Sequence, residues 1–375
     1  MNYRDDFFKS FDEKEDFLQF LDHIEERASW KTYPSSSIQI AAVSEVPDAS
    51  SRISVEAEAN EIIHDTQENT GLLLEIDGNI YPLGSTALKS LGSRARISGY
   101  ALQDLGKEKL ARIFTDCLQV AKGNALIRIH EGKVRAVHGG DEEDYSILPM
   151  PQVFEAASIY LMESYDDTKF TEAYFDHWMA TATWEVQDKR LLDTYRELLY
   201  QYGQIADDTL SASIRINTSD VGVSGANIFY SMLLGRERRP LLLGDALRLE
   251  HSGHASLEDF TRNMGQIFAR YKEAVEGLSK LFQIYVDYPA NVMAGIMKKA
   301  GIGTALRAQT VEQFKAGHGP GKCNGYEVYC GICESIFLAQ SDGMNSRSLT
   351  DLEEKVSRCL TYRFHEYDIP GTVSY

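Results

Sequence analysis

NALIRIHEGKVRAVHGG, residues 124–140, is the stretch on which the reading of the fold turns. It alternates apolar and polar residues on both sides of Glu131-Gly132, the pattern of two strands joined by a two-residue turn. In that register Arg128 faces Arg135 and His130 faces Lys133, while Ile127, Ile129, Val134 and Ala136 go to the opposite, buried face. Four cationic or titratable groups then crowd one side of one ribbon. Like charges placed opposite each other destabilise a sheet, so this side needs an anion. The acidic run Asp141–Asp144 follows immediately and offers one from inside the chain; phosphate offers one from outside.

Working outward, GLLLEIDGNIYPL (71–83) reads as an earlier hairpin turning at Asp77-Gly78. Helices are expected near 84–93 and 104–121, and a further one after Pro149. A strand is expected over 170–186, a helix over 188–204, and strands near 209–217, 226–234 and 239–249. From Ser256, which can cap a helix with Asp259 three residues on, the chain reads as helical: 256–284, 290–300, 324–341 and 348–362. At the other end, 3–28 reads as an amphipathic helix carrying Phe7, Phe11, Leu18 and Leu21, and 33–70 as a mobile connection with a short helix. The expected class is therefore α+β: a mixed or antiparallel sheet core (71–255), an acidic helical N-terminal segment (1–70) and an all-helical C-terminal region (256–375).

The 375 residues are 43% hydrophobic and 25% charged, enough to build a real core. No apolar run reaches membrane-spanning length, and the acidic start lacks the basic-then-apolar order of a secretory signal. Five cysteines do not make a disulfide framework, so a reduced, cytoplasmic protein is expected. The net charge of −18 excludes indiscriminate nucleic-acid binding. It is unevenly spread: residues 1–70 hold 6 basic and 16 acidic side chains, 71–140 hold 10 and 6, and 141–210 hold 4 and 16. Two basic blocks, 71–140 and 211–249, thus alternate with two acidic ones.

VRAVHGGDEEDYSILPMPQVFEAA (134–157) and IRINTSDVGVSGANIFYSMLLGRERRPLLLGDALRLEHSG (214–253) together resemble the phage/plasmid-like family of proteins of unknown function. The pieces that carry the resemblance are Gly140-Asp141 with Tyr145, and Asn217, Asp220, Gly222 and Ser224. It covers roughly 71–275 and implies an origin in a mobile element, with no catalytic residues to carry over.

Three motifs bear on chemistry. AGHGPGKCNG (316–325) has the look of a phosphate loop, but Ala316 stands where its first glycine belongs, Cys323 replaces the hydroxyl residue, and a helix precedes it. It reads as a connection. His318, Cys323, Cys330 and Cys333 include a Cys-x-x-Cys spacing, yet Tyr326, Cys330, Cys333 and Phe337 fall on one apolar helical face, so no metal and no cofactor are expected. GDALRLEHSGHAS (244–256) gathers Asp245, Arg248, Glu250, His251 and His254, a set from which a hydrolase could be built.

The expected function is a non-enzymatic accessory protein in replication, recombination or defence evasion, touching single-stranded or guide nucleic acid. Its contact residues would be Arg128, His130, Lys133 and Arg135, extended by Arg94, Arg96 and Tyr100 and by Arg236, Arg238 and Arg239. The rival is an acidic inhibitor that imitates a nucleic-acid backbone for a host protein; the third reading is the 245–254 hydrolase.

Overall fold

The computed structural model describes residues 2–53, 58–206, 209–319 and 321–375. The 124–140 hairpin is present as β6 (Asn124–His130) and β7 (Lys133–Gly139). Glu131 and Gly132 both have positive φ, 49° and 72°, as a tight hairpin turn requires. His130 pairs with Lys133 as expected, but a bulge between Arg128 and Ile129 shifts the register, so Arg128 lies opposite Ala136 instead of Arg135. β6 also pairs with β2 (Ala28–Pro34). The other expected hairpin is β4 (Leu72–Ile76) with β5 (Asn79–Pro82), and β3 (Gln39–Ala42) adds to its edge. A parallel bridge between Leu83 and Val134 brings the two three-stranded sheets together. Helices α4 (Ala87–Ala95) and α5 (Lys107–Val120) lend Leu91, Leu110, Phe114 and Leu118 to the core over these sheets.

The N-terminal reading needs correction. Residues 3–28 are not one helix: β1 (Phe8–Phe11) precedes α1 (Lys14–Glu26). Beyond the end of β2, the stretch 33–70, expected as a mobile connection with a short helix, holds the four-residue β3, the short α2 (Ala49–Arg52) and α3 (Ala59–Asn69), with residues 54–57 outside the described ones. Strands this short show too little alternation to be told from loops.

The largest sheet is six-stranded and wholly antiparallel, in the order β1-β8-β9-β10-β11-β12. The single strand expected at 170–186 is two, β8 (Thr168–Asp176) and β9 (Ala180–Val186). Their turn is closed by Asp176, whose carboxylate accepts from the Trp178 and Met179 backbone N–H groups. β10 (Ser211–Thr218) and β11 (Asn227–Leu234) fall close to expectation; β12 (Arg239–Leu242) is shorter. One face of this sheet, with Trp184, Ile214, Ile216, Ile228 and Met232, joins an apolar core shared with α1, α6 (Met150–Ser164), α7 (Lys189–Gln201) and the C-terminal helices. The 71–255 stretch is thus divided among three cores, since Leu73 and Ile80 pack with Tyr3, Ile53 and Ile62 in a small third one.

The C-terminal region is α8 (Leu257–Met264), α9 (Ile267–Phe282), α10 (Pro289–Lys299), α11 (Thr304–His318), α12 (Gly325–Ser341) and α13 (Ser346–Arg358). Ser256 and Asp259 form the expected capping box. The helix expected over 256–284 breaks at Gly265-Gln266, and a two-stranded ribbon, β13 (Tyr285–Val286) with β14 (Cys323–Asn324), makes the region not purely helical. Among the described residues no helix is long and apolar enough to cross a membrane, and all five cysteines are free thiols.

Candidate functional site

The crowded hairpin finds its anions inside the protein. Arg128, His130, Lys133 and Arg135 are all buried. Arg128 pairs with Asp220 at 2.8 Å and Glu25 at 3.3 Å, and its guanidinium lies 5.1 Å from the centre of the Trp30 ring. Lys133 meets Asp5 at 3.2 Å and also Asp65. Arg135 donates to Asp5 at 2.7 Å and to the Tyr3 carbonyl at 2.7 Å. His130 is held neutral, at about 2, by burial and by Arg135 and Arg128 beside it. The expected internal partner was the Asp141–Asp144 run, and this is corrected. Asp141 instead accepts from the Asn124 backbone and side chain at 3.1 and 3.2 Å, and Asp144 accepts from the Asp141 N–H. The real partners lie far away in sequence, where spacing could not reveal them.

The outlying basic residues divide. Arg94 donates to Ser35 at 2.7 Å and to the Lys122 carbonyl. Arg238 donates to the Thr209 carbonyl at 3.0 Å and pairs with Glu185, and Arg239 pairs with Glu334 at 2.6 Å. Arg96 and Arg236 are exposed, and Tyr100 is 88% exposed.

The residues behind the family resemblance converge where the two sheet systems meet. Trp30, His138, Tyr145 and His251 form a run of near-parallel rings, with His138 and Tyr145 3.9 Å apart and Tyr145 and His251 5.3 Å apart. The Tyr145 hydroxyl donates to the Ser219 carbonyl at 3.3 Å, and Asn217 Oδ1 accepts from Ser224 at 3.0 Å. Gly140 is required here, since a Cβ would come within 2.8 Å of the Ala125 carbonyl carbon. These residues join two bodies.

A cleft of about 800 Å3 beside this stack is lined by Ser224, Asn227, Arg248, His251 and Arg347, among others. Of the five groups read as a hydrolase cluster, Arg248, Glu250 and His251 line it, while Asp245 and His254 do not. Asp245 meets Ser357, Arg248 pairs with Glu354 at 3.1 Å, and His254 is exposed. His251 has one ring nitrogen 3.1 Å from the Ser146 carbonyl and the other 3.0 Å from the Thr218 hydroxyl. That is a hydroxyl–imidazole pair with an orienting group, but Thr218 is fully buried and, unlike His251, does not line the cleft.

The outer face of the six-stranded sheet is different. Along β10 the residues Ser211, Ser213, Arg215 and Asn217 alternate with the core residues Ala212, Ile214 and Ile216, and all seven are buried. Arg215 lies between Thr183 of β9 and Phe229 of β11 in the sheet register. Above it stands a cavity of about 750 Å3 that also meets Thr181, Ser231 and the corner of α12 and α13. Arg215 forms an ion pair with Glu353 of α13 and sits 4.7 Å from the centre of the Phe229 ring. Its Nε and the Thr181 hydroxyl have no hydrogen-bond partner among the described residues. Burial pushes Arg215 down to about 10, with Glu172 and Tyr174 opposing, so it stays charged at neutral pH. Leu233, Pro240, Leu242, Met344 and Leu349 make part of the wall apolar. The sequence reading missed this groove. Its signal was the small-polar alternation of SASIRIN (211–217), with an arginine where a sheet centre ordinarily places an apolar residue.

In the segment that resembled a phosphate loop, α11 runs to His318 and Lys322 pairs with Asp287 at 2.6 Å. Cys330 and Cys333 lie on α12, where burial pushes both thiols up, Cys330 to about 12.

No family model, no curated protein and no solved structure matches this chain. Fold and site therefore rest on its own geometry: an α+β protein with antiparallel sheets and a polar groove on the larger one.

Proposed function

We propose that this chain is a non-catalytic binding protein for a small carboxylate with an apolar body, held in the groove over β8–β12. The observation that carries the reading is Arg215. It is a buried guanidinium with an unused N–H at the floor of a cavity large enough for a small organic molecule. A carboxylate accepts two donors from a guanidinium fork. The hydroxyls of Thr181, Thr183, Ser213 and Ser231 suit further polar atoms of the ligand, and the leucine-rich wall suits its apolar part. Among the described residues the groove's one hydroxyl–carboxylate pair is Tyr174 donating to Glu172, and burial and Glu172 both push that phenol up, against ionisation, which supports binding over catalysis. The test is a thermal melt with benzoate, 4-hydroxybenzoate and decanoate, each against its primary amide. A carboxylate is expected to raise the midpoint while its amide does not, and Arg215→Met should abolish the shift. Glu353→Gln removes the competing internal carboxylate and should tighten binding by about tenfold, the worth of one modest charge interaction. No shift with any acid, or a shift that survives Arg215→Met, overturns the reading.

A second reading keeps the accessory role in nucleic-acid transactions that the phage/plasmid-like resemblance implies. It is favoured by Tyr100, exposed four residues from the exposed Arg96. Stacking of a base on such a ring is worth about 1–3 kcal/mol. Tyr100→Ala with Arg96→Ala and Arg236→Ala is then expected to weaken binding of a short single-stranded oligonucleotide and to flatten its salt dependence. Binding unchanged in this variant removes the reading. The rival reading, an acidic nucleic-acid mimic, loses Asp5, Glu25 and Asp65 of its 1–70 acidic block to internal ion pairs.

A further inference from the structure

A second cluster, independent of the groove, lies where α11, β14 and α12 meet. His318 ends α11, Cys323 opens β14, and Glu327 stands in the first turn of α12. One ligand atom from each lies within 4.8 Å of the other two. The three are graded in exposure: Cys323 is buried, while His318 and Glu327 are half-buried and open towards solvent.

His318 and Glu327 are each held. The His318 ring stacks on Phe314 at 4.8 Å and 11°. Asn324 caps α12 by accepting from the Glu327 backbone N–H at 3.0 Å, and its side-chain amide donates to Glu327 Oε1 at 3.0 Å. The other carboxylate oxygen is thereby aimed at His318 Nε2, 3.2 Å away. An outer residue that fixes a carboxylate's orientation is a regular feature of metal sites.

We infer that His318, Cys323 and Glu327 form a binding site for one divalent transition metal, with zinc the best fit. Nitrogen, sulfur and oxygen donors together suit zinc, which tolerates mixed ligand sets; magnesium and calcium take oxygen donors. Zinc's usual bond lengths put tetrahedral donors about 3.5 Å apart; His318 Nε2 and Glu327 Oε2 are already near that spacing, so it is the Cys323 sulfur that closes in, by up to roughly 1 Å, on binding. The Cys323 thiol loses its proton to solvent as its sulfur joins the metal, and three protein ligands leave one coordination position to water. This set differs from the Cys330-x-x-Cys333 spacing considered in the sequence. Those two thiols lie further along α12, outside the cluster.

The test uses the full chain and the metal alone. After equilibration with zinc and removal of the excess, elemental analysis is expected to find one zinc per chain. His318→Ala and Cys323→Ser should lose it, and Cys330→Ser should keep it. Asn324→Ala should weaken retention by about tenfold to a hundredfold. Cobalt substituted for zinc is expected to give a thiolate-to-metal charge-transfer band in the unmutated chain. That readout decides the matter even if a cysteine variant fails to fold. No retained metal and no cobalt band, or zinc retained undiminished by Cys323→Ser, overturns the inference. The Arg215 groove is untouched by either result.

Discussion

Asp5→Ala is expected to remove about 3–5 kcal/mol of stability, the cost of breaking a buried ion pair from one side. The Asp5 side chain is almost fully buried and serves three donors. These are Arg135 at 2.7 Å, Lys133 at 3.2 Å and the Ser85 backbone N–H at 2.6 Å. Without it, two cations stay in the interior with only Asp65 left among their carboxylates, and one N–H loses its acceptor. Asp6, its exposed neighbour, pairs only with Arg4 at the surface, and Asp6→Ala should leave the urea midpoint where it is. Arg128→Ala with Arg135→Ala is expected to fall in the same direction as Asp5→Ala, because it leaves Asp220 without its cation and Asp5 with Lys133 alone of its two. A urea midpoint for Asp5→Ala within error of the unmutated chain would show that the hairpin cations have another partner. Burial raises the Asp5 carboxyl, but Arg135, Lys133 and the Ser85 bonds outweigh it and hold the group below its ordinary value. Its contribution is therefore full above about pH 4 and is lost as the pH falls through its lowered value.

A steeper acid dependence is expected at higher pH, from histidines. Burial, helped by Arg135 and Arg128, holds His130 at about 2, and burial holds His138 at about 4. His177 and His251 are lowered mainly by burial as well. In the unfolded chain each takes a proton near pH 6.5; in the fold each takes it only at a lower pH. Below pH 6.5 the unfolded state holds more protons, so stability falls as pH falls. A histidine that stays neutral in the fold costs about 2 kcal/mol by pH 5. Three such groups, His130, His138 and His177, are enough to threaten the fold of an ordinary protein. Urea midpoints measured from pH 7.5 to 5 should drop steadily, and His130→Asn should make the slope shallower. A flat profile down to pH 5, with loss only in the carboxylate range below pH 4, contradicts this.

Long elements were legible because their periodicity is local. The 124–140 and 71–83 hairpins carry their turn residues between alternating strands, and α6, α7 and α12 carry long apolar stripes. Segments of four residues, such as β1 and β3, gave no pattern to read, and β8 and β9 merged because their turn at 177–179 has no glycine or proline. The candidate sites were less legible. Arg128 and Arg135 read as a surface for an anion, since nothing nearby in sequence places Asp5 or Asp220 against them. Arg215 read as part of an ordinary strand, since the roof over it comes from α13, well over a hundred residues on.

What the chain's order of residues sets without help is local: alternation makes strands, Asp77-Gly78 and Glu131-Gly132 make turns, Ser256 with Asp259 starts a helix, and the lack of a long apolar run denies a spanning helix. What awaited the packed structure is who faces whom. A charge on a strand has one meaning beside solvent and another beside a buried carboxylate. The difference is made by contacts between residues as far apart as Asp5 and Lys133, or Arg215 and Glu353. Such contacts depend on how sheets and helices stack, and desolvation in the stacked interior then decides whether a cation is held in place or left free to bind.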